Sequence, residues 1–163
     1  MQPSHGAGDG LMGFSITGQI QNLLTKFMNG FKSSLFNVST SDGRNFTLAD
    51  EVQFQSATGL YRMPVGAQSD GASTPRECWS LLPPFGHYWP AAYLHDAAYR
   101  GALEIYTETG WEKAELDKPA CDNLLLEAME TLGVDDLTRR TIYEAVKLAG
   151  RQAFNEDRDE PIQ

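Results

Sequence analysis

The ten residues AAYLHDAAYR (91–100) decide how the chain is read. They set a His95-Asp96 pair among alanines and place a tyrosine hydroxyl, Tyr99, four positions beyond the histidine. Helical residues four apart share a face, whereas neighbours diverge by about 100°. His95 and Tyr99 therefore serve one partner and Asp96 another. Alanines at 91, 92, 97, 98 and 102 leave little side-chain bulk, so a second helix can come close enough for direct hydrogen bonds.

CDNLLLEAM (121–129) is the candidate for that second helix. Asp122 sits among Leu125, Leu126 and Met129, and a carboxylate on or beside an apolar face needs a partner. In the economical arrangement Asp122 accepts a proton from one nitrogen of His95, with the Tyr99 hydroxyl as a second donor. The other imidazole nitrogen is then left to deprotonate a water, which makes His95 a general base and Asp122 its orienter. The competing reading is a satisfied buried network that serves stability alone.

Asp96, on its own side of the helix, calls for another explanation. Asp70-Gly71 in the loop QSDGAS (68–73) reads first as a turn. Yet carboxylates from a loop and a helix, with carbonyls freed by the glycine, are the hard oxygen ligands that calcium takes at about 2.3–2.6 Å. Asp70 and Asp96 are accordingly metal candidates.

Outward from this centre, the pattern is α+β in a single domain, 1–163. A Gly-rich arm (1–10) leads into apolar positions Ile16, Ile20, Leu23, Leu24, Phe27, Met28 and Phe31, which predict one amphipathic helix ending near Gly30. Its other face carries a single charge, which favours burial against the domain or self-association through residues 11–31 over membrane anchoring. LFNVST, RNFTLADEVQFQ and LYRMPVG, separated by SDG and ATG turns, predict a small antiparallel sheet over 35–66 that stops after Pro64. A long loop, with one short helix starting at Pro75, precedes helices at about 88–102, 119–132 and 135–154. Residues 103–118 read as a wide acidic connection. Asp117-Lys118-Pro119 and Asp135-Asp136 are the expected helix starts, and 155–163 is an acidic, solvated tail.

Composition excludes some functions. The chain has 22 acidic against 13 basic residues, a formal net charge of −9, so long-range electrostatics oppose binding to nucleic acid or anionic bilayers. The N-terminal residues lack the pattern of a signal peptide, and no stretch approaches the ~20 apolar residues of a membrane span. Synthesis and folding in a reducing cytoplasm is the expectation, with Cys78 and Cys121 as buried thiols.

The block SDGASTPRECWSLLPPFGHYWPAAYLHDAAYR, followed by CDNLLLEAM and IYEAVKLAG, resembles the small bacterial and fungal secreted phospholipase A2 enzymes. The shared features are an acidic residue in a loop, PFG, a His-Asp pair followed by YR, and an aspartate before a bulky helix. The same block resembles a family of small proteins of unassigned function carried by tailed phages and prophages. The resemblance implies a phospholipase A2-like helical core over 67–154. It implies His95 as base, Asp122 as its orienter and Tyr99 as support. It also implies calcium held by Asp70, Gly71 and Asp96. Ala72 and Ala92 stand where the secreted enzymes place a pair of bonded cysteines. The expected function is calcium-dependent hydrolysis of phospholipid or another lipid ester. The alternative is a virion component, such as a tail, neck or baseplate protein, that keeps the fold to contact other phage structural proteins. A metal-dependent phosphohydrolase using His87 is a third reading.

Overall fold

Val52, Phe54 and Ser56 turn inward along one strand, and Tyr61 and Met63 along the next, as a period of two dictates for a sheet with one covered face. This pair is the centre of the computed structural model, which describes residues 30–32, 37–41, 45–69 and 87–159. The strands are β1 (Gly30–Phe31), β2 (Val38–Ser39), β3 (Phe46–Leu48), β4 (Val52–Ser56), β5 (Gly59–Met63), β6 (Gln68–Ser69), β7 (Glu104–Thr107) and β8 (Gly110–Lys113). The helices are α1 (Trp89–Tyr99), between β6 and β7, then α2 (Lys118–Thr131) and α3 (Asp136–Asp159). The chain is α+β, with every described strand pairing antiparallel.

Two sheets form where one was expected: a five-stranded sheet in the order β1-β4-β5-β7-β8 and a three-stranded sheet in the order β2-β3-β6. The stretch read as one long strand, RNFTLADEVQFQ, bends at Ala49-Asp50, so that β3 joins the small sheet and β4 the large one. Strands also continue past Pro64. Phe46 pairs with Ser69 across β3 and β6, and the amides of Leu48 and Ala67 lie within a tight local backbone network.

The segment 103–118 is not a plain connection, because β7 and β8 form a hairpin inside it. Its acidity conceals a cross-strand arrangement. Glu104 lies opposite Arg62 of β5 and accepts from its Nε at 2.6 Å, while the guanidinium stacks 4.3 Å from the centre of the Trp111 ring. A two-stranded hairpin therefore stands between the helices expected at 88–102 and 119–132.

Phe31, placed on the apolar face of the N-terminal helix by periodicity, instead lies in β1 against Phe54, with ring centroids 4.9 Å apart. Residues 11–29 of that predicted helix, the short helix expected from Pro75, and Cys78 lie outside the described residues. Cys121 is fully buried. The last helix runs to Asp159, into the stretch read as tail.

Local chemistry explains the helix boundaries. The Asp117 side chain accepts from the Ala120 amide at 3.0 Å and Asp135 from the Thr138 amide at 3.0 Å, capping α2 and α3 at the expected starts. Helices α1 and α2 end alike. Gly101 (φ 63°) and Gly133 (φ 73°) take the left-handed conformation, and the amides of Ala102 and Val134 reach back to Ala97 and Met129. Helix α1 packs against α2, and α2 against α3. Ala91, Ala97 and Ala98 meet Cys121, Leu124, Leu125 and Ala128 in one buried core with Phe54, Tyr61 and Met63. Among the described residues no helix is long and apolar enough to cross a membrane.

Candidate functional site

The small residues of α1 let α2 approach, and that approach brings His95, Tyr99 and Asp122 together in the core. All three are buried. Asp122 Oδ1 lies 3.2 Å from His95 Nε2 and accepts from the Tyr99 hydroxyl at 2.6 Å. The imidazole and phenol rings are 4.0 Å apart at their centroids.

A fourth group completes the arrangement. Lys118, one turn before Asp122 on α2, donates from Nζ to Asp122 Oδ2 at 2.6 Å and to the Val146 carbonyl of α3 at 3.1 Å. Its side chain is 15% exposed against 4% for Asp122, so this ion pair is largely out of water. Burial alone would raise the Asp122 carboxyl. Hydrogen bonds from His95, Lys118 and Tyr99, with the Lys118 charge, outweigh burial and hold it at about 2.

An ionised Asp122 fixes the tautomer of a neutral His95. A carboxylate only accepts, so Nε2 carries the ring proton and Nδ1 keeps the basic lone pair. Among the described residues Nδ1 has no hydrogen-bond partner.

Another face of α1 meets the small sheet. Tyr93, on that helix, has its hydroxyl 2.6 Å from the Phe46 carbonyl and 2.7 Å from the Ala67 carbonyl, so it can donate to either strand region. Burial, followed by the Asp96 charge, pushes this phenol up to about 12. Asp96 is itself buried and accepts from Ser69 Oγ at 2.5 Å. Ser69 ends β6 and immediately precedes Asp70. Asp70 and Gly71 lie outside the described residues, among which no cluster of three or more His, Cys, Asp or Glu side chains is set to hold a metal. His87 is exposed in a turn before α1.

Sequence reasoning missed Lys118 and Ser69 as site residues. Lys118 was legible as the partner four residues before Asp122, but its place at a helix start gave it a different explanation. Ser69 carries no local signal, because its contact with Asp96 spans 27 positions.

Fold and site define an α+β protein in which helices α1 and α2 enclose a buried His-Asp-Tyr-Lys hydrogen-bond centre. The chain belongs to the family described as protein of unknown function DUF1353, whose model matches residues 46–146. That span includes His95, Asp96, Tyr99, Lys118 and Asp122. No curated protein and no solved structure matches the chain.

Proposed function

We propose that this protein is a calcium-dependent hydrolase of lipid esters, of phospholipase A2 type and of phage or prophage origin. The observation that carries the catalytic reading is the single-sided anchoring of His95. Its Nε2 is held by an ionised Asp122 that is itself gripped by Tyr99 and Lys118. This leaves Nδ1 as the basic atom.

In this mechanism Nδ1 of His95 takes a proton from water as the water oxygen adds to the acyl carbon of the ester. Asp122 stabilises the imidazolium that forms and keeps the ring in one orientation. The imidazolium then returns the proton to the departing alkoxide as the carbon–oxygen bond breaks, giving a fatty acid and a lysolipid. Tyr99 and Lys118 hold the carboxylate and do not exchange protons with substrate.

Donor chemistry at the other side of α1 fits a hard cation, since the buried Asp96 carboxylate and the Ser69 hydroxyl are both oxygen donors. Asp70, Gly71 and Asp96 would hold the ion. Bound calcium supplies the Lewis acid that polarises an ester carbonyl.

Fatty-acid release from phospholipid micelles tests this reading directly. Release with calcium, and its loss on adding chelator, is the expected result. No release under either condition would remove the catalytic reading and leave the virion-component alternative.

A further inference from the structure

Four positions on α3, Tyr143, Lys147, Arg151 and Asn155, recur at intervals of four and so form one stripe along the helix. Together with Lys118 and Pro119 of α2, Asp122 and Phe154, they line a pocket of about 420 Å³. That volume suits a small organic ligand. His95 is not part of the lining: it meets Asp122 at Oδ1, whereas Lys118 holds the Oδ2 side.

The charge of this pocket runs against that of the chain. The protein carries −9 overall, yet the pocket wall has three cations and one carboxylate. Lys118 and Asp122 neutralise each other, which leaves the two charges of Lys147 and Arg151. Both side chains are exposed, and neither forms an ion pair among the described residues; Lys147 lies 5.8 Å from the centre of the Tyr143 ring. An arginine fork matches two oxygens of one phosphate, and a neighbouring ammonium adds a point charge. Phe154 and Pro119 give the pocket an apolar wall for an uncharged substituent.

We propose that this pocket binds a phosphate-bearing anion, in which Arg151 and Lys147 hold the phosphate and Phe154 and Pro119 contact its organic part. The phosphate contacts do not depend on the hydrolase reading, because Arg151 and Lys147 take part in no step of ester hydrolysis, although Asp122 and Lys118 line the same pocket. The ligand is either a soluble phosphate ester or the headgroup of an anionic lipid.

Isothermal titration calorimetry at fixed ionic strength separates the cases, using inorganic phosphate, glycerol phosphate, and vesicles of phosphatidylglycerol or of phosphatidylcholine. The wild-type chain is compared with Lys147→Gln/Arg151→Gln, and with Arg140→Gln, an exposed charge on α3 outside the pocket, as control. The expected result is saturable binding that weakens at least tenfold in the double variant and persists in the control. Binding of phosphate or glycerol phosphate identifies a soluble ligand, and binding only to phosphatidylglycerol vesicles identifies a headgroup; either supports the site. Absence of saturable binding in every arm, or equal weakening in Arg140→Gln, would overturn it. Because heat of binding is read rather than turnover, an inactive enzyme leaves this test intact.

Discussion

A β-carbon on Gly150 would lie 2.6 Å from the Tyr99 hydroxyl oxygen, closer than real carbon–oxygen contacts allow. It would also meet Lys118 Cε at 3.2 Å. Gly150 thus lets α3 close over the same two side chains that grip Asp122, and this explains a glycine inside a long helix, where it costs about 1 kcal/mol relative to alanine.

Gly150→Ala should therefore destabilise the protein, although helix propensity alone favours alanine. Overpacking of this kind costs about 1–3 kcal/mol. Tyr99→Phe removes the obstructing oxygen together with its hydrogen bond to Asp122, so the two substitutions should be non-additive, with the double variant more stable than the sum of the single effects. Urea denaturation of the four proteins measures this. Strict additivity would show that Gly150 does not shape the site.

The parts of this arrangement that depend on neighbouring residues were legible in the sequence. Asp117 and Asp135 mark helix starts because a cap needs only the next three residues, and His95 and Tyr99 share a face by spacing alone. Asp122 stood out as a carboxylate among leucines. The β7–β8 hairpin was hidden because its stabilising partner, Arg62, lies 42 positions from Glu104, and charges that pair across strands look like a solvated connection. The bend at Ala49-Asp50 was missed for a related reason: the inward parity of Phe46 and Leu48 resumes at Val52 and Phe54, so the interruption between them reads as part of one strand until the two sheets separate it. Gly150 belonged to a recognised motif, but its purpose lies in a contact with another helix.

Asp122 should make stability depend on pH. Its folded value of about 2 lies below the ordinary 3.8, so its contribution is present above that ordinary value and is lost as pH falls through about 2. The stability gap between wild type and Asp122→Asn should narrow by about 2 kcal/mol as pH is taken from about 5 toward 2. Chemical denaturation across that range checks it, and a gap independent of pH would contradict the assigned hydrogen bonds.

Lys118→Met should cost about 3–5 kcal/mol at neutral pH, because it leaves a buried carboxylate without its cation. Replacing both partners, as Lys118→Met with Asp122→Leu, should recover part of that loss. Equal stability of Lys118→Met and wild type would mean that the pair is solvated rather than buried.

Calcium should raise the melting temperature by binding the folded state, and Asp96→Asn should abolish the rise while retaining the fold. Differential scanning fluorimetry with calcium, magnesium and chelator reads this. Indifference of the wild-type protein to millimolar calcium would count against Asp96 as a ligand.

In the proposed mechanism His95 and Asp122 act as one catalytic unit, and the turnover of phospholipid by wild type, His95→Ala, Asp122→Asn and the double variant tests this most directly. With calcium present, His95→Ala should lower turnover by about 10²–10⁴-fold, and adding Asp122→Asn should lower it little further, since an orienter has no effect once its base is gone. Undiminished turnover in His95→Ala, or losses that multiply in the double variant, would contradict the claim.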